Sequence, residues 1–544
     1  MRTTRSSIEA VPSGQRRPRI APKPNAPLAT IPYPVPRPDR ARPPMHLLLF
    51  CRGSFRPFRG GTGPVTAVVA PAEVPAEVRE GTYGDRVGTV EPGGAEFIAL
   101  SERHGKPQTL FATWTSPNLE FATIFVGVIS VSFFGETFWQ AVAAIVLGTA
   151  LGSLTHGVLS ARGPSFGVPQ MIQSRISFGF IGNVLPAGLN SLTAGIGWFA
   201  VNSVSGALAL NALTGIPSWV CLVFVAIAQT TIAFFGHNLV QVFERWAFPL
   251  LGAAFVLASI VILSKSHPNT AHGTGGIGGF LLSLGAAFGY ACGWNPYASD
   301  YTRYFKPDAN RLATGLWAGL GVFVSCVVLE IVGAASATIP GTSSNPTLLF
   351  TSHLPTAIAD ITLVAIAVGA VSANVLNVYS GVMSFLSIGV RLPLALRRAI
   401  VALGFGSIGF VVAWTGLHNA GSKYENFLLV IAYWIGPWLG VVLCDQLLRR
   451  HARVDGFLFD RRHNPWAGAV AMAIGMAVSI VLFSDQTEYV GVIVKAHPKI
   501  GDLTFEVGFT LSAVLYAVFY TLSRDRRSEV MVIPDAAVAT AARE

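Results

Sequence analysis

A tryptophan and three asparagines lie in apolar stretches of the sequence, where polar side chains are costly unless they find partners. Trp198 and Asn202 are four residues apart and share one face of a helix; Asn374 and Asn377 are three apart and also share a face, close to Ser372. An indole offers a flat stacking surface, and a carboxamide both donates and accepts hydrogen bonds. These residues suit a flat heterocycle with mixed polar edges. Ordinary packing of the indole and hydrogen bonding between helices are the alternative interpretation.

Two of the apolar segments are interrupted by proline and asparagine. Pro117 and Asn118 are followed by Glu120, and Asn295 and Pro296 occupy a later segment. The first interruption could be an ordinary helix start, with proline in its first turn. Paired interruptions at matching places in two halves instead indicate an inverted-repeat transporter, whose substrate lies at the breaks. We therefore expect Asn118 and the carbonyl groups of both breaks to face the substrate.

Composition excludes most other classes of protein. The 544 residues are 51% hydrophobic and only 12% charged, whereas soluble domains are about 25% charged. This argues against a soluble enzyme or a nucleic-acid-binding protein. No arrangement of a nucleophile, histidine and acid is evident, so we expect neither an enzyme nor a cofactor.

Twelve apolar segments follow residue 108, and each approaches the ~20 residues that a helix needs to cross a bilayer. They predict an all-α polytopic membrane protein. The predicted spans are 116–135, 138–160, 183–213, 217–236, 246–264, 278–298, 313–338, 356–386, 398–415, 424–446, 466–484 and 503–523.

Lysine and arginine set the predicted orientation. Most of them fall in alternate loops and in the tail after the last span, which predicts cytoplasmic N- and C-termini. The net charge of +10 is then a topology signal and does not indicate nucleic acid. Residues 1–108 are rich in proline and arginine and are expected to be a disordered tail. Residues 109–446 would form a core of ten helices, 447–523 helices 11 and 12, and 524–544 a cytoplasmic tail.

Several of these segments resemble the nucleobase–cation symporter-1 family, also called the purine–cytosine permease family. The matching pieces appear in family order and are Gly163–Gln170, Arg175–Gly179, Gly197–Asn202, Pro296–Tyr304, Asn374–Ser380 and Tyr433–Trp438. The resemblance implies a leucine-transporter-like fold of twelve helices, with a five-plus-five inverted repeat and two C-terminal helices. It also implies cation-coupled uptake of a nucleobase or a related heterocycle across the plasma membrane.

The resemblance also implies roles for individual residues. Trp198 is similar to the family's stacking tryptophan and Asn202 to the polar residue one turn later. The second aromatic is expected at Tyr290, and the polar residue of helix 8 at Asn377, with Asn374 nearby. Sodium-dependent members carry two adjacent hydroxyl residues on helix 8.

Here Val371 precedes Ser372, so one of those two hydroxyl groups is missing. The coupling cation is left open between a proton and sodium. Glu120 and Ser372 are the predicted coupling residues, because a carboxyl group within a membrane helix can carry a proton.

The sequence thus predicts a secondary active transporter that imports a purine or cytosine by proton or sodium symport with alternating access. Uracil, allantoin, hydantoins and vitamin heterocycles are alternative substrates within the same family. A membrane receptor that does not transport is the alternative class. The expected partners are the small heterocycle and the lipid bilayer.

Overall fold

The computed structural model describes residues 79, 83–269, 273–343, 345–390, 397–417, 420–450, 452 and 454–523. Within them, eleven helices are long and apolar enough to cross a membrane. The predicted tails over residues 1–78 and 524–544 lie outside the described residues. The long helices are α2 (Phe138–Ser160), α3 (Val184–Thr214), α4 (Ser218–Phe235), α5 (His237–Lys265), α6 (Gly276–Cys292, continued by Ala298–Thr302), α7 (Arg311–Ser336), α8 (Thr356–Ser387), α9 (Arg397–Gly416), α10 (Ala420–Leu448), α11 (Trp466–Phe483) and α12 (Thr504–Leu522).

The first predicted span is a broken helix. Its parts are α1a (Thr109–Thr115) and α1b (Phe121–Ser132), joined by a 3₁₀ turn over Ser116–Asn118. Glu120 has extended backbone angles, φ −150° and ψ 173°, so the two parts do not form one continuous helix. Neither part is long enough to cross a bilayer alone. The interpretation of Pro117 as an ordinary helix start is therefore wrong.

The sixth span is also interrupted, at the predicted place. The helix Gly276–Cys292 gives way to a 3₁₀ turn over Asn295–Tyr297 before a short helix resumes at Ala298. Pro296 lies inside this turn, where its missing N–H costs no helical hydrogen bond. The third span carries a further irregularity, a π-helical turn over Thr193–Trp198. Such turns often occur at functional sites.

The helix α5 starts earlier than the sequence predicts. It begins at His237, after Gly236 with φ +97°, rather than at residue 246. Glu244 and Arg245 therefore lie within the helix and not in a loop. Glu244 is buried, while Arg245 points outward and is exposed. This correction places a carboxyl group inside the helical bundle.

Small residues allow α1b and α7 to touch. A Cβ atom added to Gly127 would lie 1.7 Å from the backbone oxygen of Glu330, and one added to Gly333 would lie 1.8 Å from that of Ile124. A backbone approach that leaves no room for a Cβ atom is typical of membrane helices that pack through glycine. The approach fixes the outer part of the broken helix against the bundle.

The chain before α1a is ordered further than predicted. Tyr83, Glu91 and Ile98 are buried, so a tail that is disordered up to residue 108 is wrong for residues 83–108. Backbone hydrogen bonds join Glu91 to Phe235 and Ile98 to Gly167. Composition suggested disorder because this stretch buries few apolar groups of its own; its order comes from partners elsewhere in the chain.

Glu91 is the centre of that order. Its carboxylate forms ion pairs with Arg79 at 3.2 Å, Arg303 at 3.5 Å and Arg398 at 3.7 Å. It also accepts hydrogen bonds from Tyr304, from Tyr379 at 3.2 Å and from the backbone N–H of His237 at 2.9 Å. We call these side chains, together with Glu91, the Glu91 cluster. It joins the 83–103 segment to α5, α8, α9 and the two residues that follow the short helix Ala298–Thr302.

Candidate functional site

Trp198 lies where α3 meets the broken part of α6. Its side chain is 5% exposed, at the end of the π-helical turn. A Cβ atom on Gly293 would lie 3.3 Å from Cζ2 of the indole, so glycine allows the ring to approach the α6 backbone. The predicted stacking residue is therefore held beside one of the two breaks.

Tyr290 contacts Trp198 edge-on. The ring centroids are 5.5 Å apart, and the planes are inclined by 86°. The tyrosine hydroxyl is 2.6 Å from the hydroxyl of Thr123 and donates to Oε1 of Glu120 at 3.2 Å. The two rings thus lie together as the sequence predicts, but they are perpendicular rather than parallel.

Asn118 connects the two interrupted helices. Its Nδ2 donates to the backbone oxygen of Trp114 at 2.7 Å, and its Oδ1 accepts from Nε1 of Trp294 at 2.9 Å. Glu120 follows it as the first residue before α1b and is 1% exposed. Glu120, Tyr290 and Trp198 therefore form one group of side chains in contact, and Asn118 lies beside it in the turn before Glu120.

The other three asparagines form a second, adjoining network. Asn202 donates to Oδ1 of Asn374 at 3.2 Å, and Asn377 lies 3.4 Å from the same oxygen. Asn377 also accepts from the hydroxyl of Tyr297, in the α6 break, at 2.7 Å. Oδ1 of Asn202 is buried and has no hydrogen-bond partner among the described residues.

Asn374 has the partners of a structural residue. Its Nδ2 lies 2.9 Å from the backbone oxygen of Phe199, 3.2 Å from Ser203 Oγ and 2.9 Å from Gln229 Oε1. These contacts join α8 to α3 and α4. The alternative interpretation of hydrogen bonding between helices therefore describes Asn374 better than Asn202 or Asn377.

An apolar cavity of about 270 Å³ adjoins this group. Its walls come from α1b, α3, the end of α9, the start of α10 and the short helix Pro346–Ser352. Phe427 and Tyr424, in its lining, contact Trp198 at centroid distances of 5.1 and 6.4 Å. The cavity thus leads to the indole from one side of the bundle.

Among the described residues, Ser372 forms no hydrogen bond to Glu120, its predicted companion in coupling. Its hydroxyl donates to Oε2 of Glu244 at 2.5 Å and is 3.2 Å from the hydroxyl of Ser116. Sequence reasoning missed Glu244 because it placed residues 237–245 in a loop. A usable signal was present: His237, Gln241 and Glu244 recur at helical spacing and continue the pattern of α5 backward.

The broken helices, the aromatic and polar groups at their breaks and the spans around them define a multi-pass membrane transporter. Residues 98–508 match the family described as permeases for cytosine/purines, uracil, thiamine and allantoin, and the chain belongs to this family. The resemblance drawn from its sequence pieces is confirmed, and so is the expectation that it is not an enzyme.

Two relatives cover most of the chain. A putative purine-cytosine permease, YxlA of Bacillus subtilis, is 29% identical over 444 residues, which are 79% of this chain and 95% of that protein. The purine-cytosine permease fcyB of Emericella nidulans is 28% identical over 452 residues, covering 78% of this chain and 87% of that protein.

A solved structure matches the fold. MHP1, a nucleobase-cation-symport-1 family transporter in a closed conformation with bromovinylhydantoin bound, superposes with a TM-score of 0.65 at 20% identity. The match covers 84% of this chain and 100% of that one. It confirms the predicted all-α, leucine-transporter-like membrane fold.

Proposed function

We propose that the protein imports a purine or cytosine across the plasma membrane, together with a cation, by alternating access. Both N- and C-termini would face the cytoplasm. The observation that carries this proposal is the position of Trp198 against the break in α6, in a chain of the cytosine/purine permease family. The names of the relatives support the substrate class.

Each side chain of the site has a proposed role. Trp198 stacks on the flat ring, with Tyr290 closing the opposite side after a change in its inclination. Base–aromatic stacking contributes about 1–3 kcal/mol per ring in nucleic-acid sites. A nucleobase offers this stacking face whatever its substituents, so Trp198 supplies affinity rather than discrimination.

Discrimination comes from the polar groups. Asn118, Asn202 and Asn377 bind the edge of the ring, and Asn374 holds the other asparagines in place. Oδ1 of Asn202, buried and unpartnered among the described residues, is an acceptor for a ring N–H or amino group. A site with such groups rejects a ring that leaves them unpaired.

The second candidate substrates are uracil, allantoin, thiamine and hydantoins. The family description includes the first three, and bromovinylhydantoin is bound in the solved structure of similar fold. All but thiamine are small rings with alternating N–H and carbonyl groups, so the same asparagines could bind them. Competition by these compounds separates the candidates.

The test is uptake of radiolabelled hypoxanthine and cytosine into proteoliposomes that contain the purified full chain. Trp198→Ala should weaken binding by about fivefold to about 150-fold, since one stacking contact of about 1–3 kcal/mol is lost. Trp246→Ala is the matched control, because that tryptophan is on α5 and 69% exposed. It should transport like the wild type.

Two results would contradict the proposal. Wild-type affinity in Trp198→Ala would remove the indole from the site. Binding of a nucleobase without any uptake would indicate the alternative class, a receptor that does not transport. Accumulation above the outside concentration is the signature of a symporter.

A further inference from the structure

Three helices meet at a polar junction beside the break in α1. Glu244 comes from α5, Ser372 from α8 and Ser116 from the turn between α1a and α1b. Ser372 joins the other two, at 2.5 Å from Glu244 Oε2 and 3.2 Å from Ser116 Oγ. A Cβ atom on Gly369 would lie 2.3 Å from the backbone oxygen of Leu119, so α8 lies directly against the break. We call Glu244, Ser372 and Ser116 the Glu244 junction.

The junction contains a carboxyl group without a counter-charge. Glu244 is 1% exposed, and its Oε1 has no hydrogen-bond partner in the part of the chain that the structure describes. None of the ion pairs among the described residues includes Glu244. An isolated carboxylate is unfavourable in the interior of a membrane protein, whereas a carboxylic acid is tolerated.

The ionisable groups on the helices around α5 do not supply a counter-charge for Glu244. The neighbouring helices carry Cys221 on α4, Arg311, Cys326 and Glu330 on α7, and Asp360 and Tyr379 on α8. Among the described contacts, none of these bonds to Glu244. Tyr301, on the short helix after the break in α6, is close enough to interact with it, but a phenol is neutral. On α5 itself, Arg245 is exposed and points away.

We propose that Glu244 carries the proton that is co-transported with the nucleobase. This proposal rests on the proposed function and names its coupling ion. The proton adds to one carboxylate oxygen of Glu244 on the outside and leaves from it on the inside, and no other bond changes. Ser372 donates its hydroxyl hydrogen to the other oxygen in both states.

The position of the junction explains how the proton and the substrate are coupled. Ser116 and Asn118 belong to the same 3₁₀ turn, so one end of this turn contacts the proton site and the other contacts the substrate site. The neutral acid keeps α5, α8 and the turn together. Loss of the proton leaves a buried anion, which favours a state in which water enters the junction. Each ligand then stabilises the conformation that the other needs, as linkage requires.

Glu244 is better placed for this role than Glu120 and Glu330, two further buried carboxyl groups without a charged partner among the described ion pairs. Glu120 accepts from Tyr290 and lies within the candidate substrate site. Glu330 accepts from Thr149 of α2 at 2.9 Å rather than from a residue of either break. Of these three glutamates, only Glu244 is bonded to Ser372, whose hydroxyl also contacts Ser116 in the turn between α1a and α1b.

The first experiment uses the wild-type protein in proteoliposomes. Hypoxanthine uptake is measured with an imposed pH gradient, acid outside, or with a sodium gradient alone. The pH gradient should drive accumulation in the absence of sodium. Accumulation driven only by sodium would overturn the proton proposal and leave the proposed function intact. A wild-type protein that neither binds nor takes up any heterocycle would instead contradict the proposed function.

The second experiment assigns the residue. Glu244→Gln keeps the shape and the acceptor for Ser372 but cannot exchange a proton. It should equilibrate hypoxanthine across the membrane with a ratio of about one, while the pH dependence of its binding falls from about tenfold or more to less than about twofold. Glu330→Gln is the matched control and should accumulate hypoxanthine like the wild type.

Ser372→Ala keeps this assignment testable if Glu244→Gln does not fold. It removes the hydroxyl that bonds to Glu244 and should move the pH profile of binding to a different pH, with the carboxyl group still present. A pH profile identical to the wild type in Ser372→Ala, or full proton-driven accumulation in Glu244→Gln, would remove Glu244 from the coupling mechanism.

Discussion

Glu91 and Glu244 are both buried glutamates, yet their surroundings are opposite. Glu91 is 0% exposed and paired with three arginines, whereas Glu244 is 1% exposed and bonded to a serine hydroxyl. Both residues join distant parts of the chain. The Glu91 cluster is held together by charged groups. The Glu244 junction consists of two serine hydroxyls and a carboxyl group that can be neutral.

The pKa of Glu91 shows what the arginines do. Burial alone would raise this pKa, but Arg398, Arg79 and Arg303 outweigh burial and hold it at about 2. Glu91 is therefore an anion at every physiological pH, and its ion pairs hold the 83–103 segment to the helices at all of these pH values. A group that must gain and lose a proton in each cycle cannot have such partners. Glu244 has no paired cation among the described residues and therefore suits the role of proton carrier. Glu91 has three paired arginines and does not.

The largest effect on stability is expected when the Glu91 cluster loses its carboxylate. Glu91→Ala leaves Arg79, Arg303 and Arg398 buried together without a counter-charge. Breaking a buried ion pair from one side costs about 3–5 kcal/mol. The variant should unfold at lower temperature, and protease should cleave the 83–103 segment faster. Thermal unfolding in detergent and limited proteolysis measure the two effects.

Asp85→Ala is the control for that change, since Asp85 lies in the same segment and is exposed. It should match the wild type in both measurements. Equal protease resistance of Glu91→Ala and Asp85→Ala would show that the segment is held by its apolar contacts and not by the cluster.

A smaller effect is expected from a single hydroxyl of the same cluster. Tyr379 donates to Glu91 at 3.2 Å and accepts from Arg303 at 3.0 Å. Tyr379→Phe removes both contacts but leaves every ion pair of the cluster in place. The loss of unfolding free energy should be about 0.5–1.5 kcal/mol per hydrogen bond, well below that of Glu91→Ala. Denaturation curves of the two variants compare them directly; an equal loss would mean that the hydroxyl, not the charges, stabilises the cluster.

Glu120 of the candidate substrate site and Glu244 of the junction form a second pair to compare, and a still smaller effect is expected at Glu120. Glu120→Gln preserves an acceptor for the Tyr290 hydroxyl. It should weaken nucleobase binding by severalfold, about 1 kcal/mol, and retain accumulation driven by the pH gradient. Loss of accumulation in Glu120→Gln, with accumulation retained in Glu244→Gln, would restore the coupling residue predicted from sequence.

The breaks in α1 and α6 could be predicted because their cause is local. Proline removes a backbone donor and the adjacent asparagine adds polar groups at membrane depth, and the two together mark the interruptions at Pro117 and Pro296. Trp198 could be selected as a candidate site residue because its helix face also carries Asn202. The inclination of Tyr290 to Trp198 could not, since packing between α3 and α6 sets it.

The two glutamate junctions could not be read from sequence, because their partners are far away along the chain. Ser372 follows Glu244 by 128 residues, and Arg303 follows Glu91 by 212. Local composition assigned residue 91 to a disordered tail and residue 244 to a loop. In each case the sequence around the glutamate does not indicate which distant part of the chain supplies its bonding partner.

A change of pH should distinguish the Glu91 cluster from the Glu244 junction, because only the junction is expected to respond. A carboxyl group whose pKa is lowered on folding contributes stability in full above its unfolded value, 4.5, and loses it as the pH falls toward 2. The 83–103 segment should therefore resist protease equally at mildly acidic and neutral pH, while hypoxanthine binding changes over the same range through Glu244. Parallel changes in proteolysis and binding would mean that the Glu91 cluster opens with the transport cycle, and that the two glutamates belong to one mechanism.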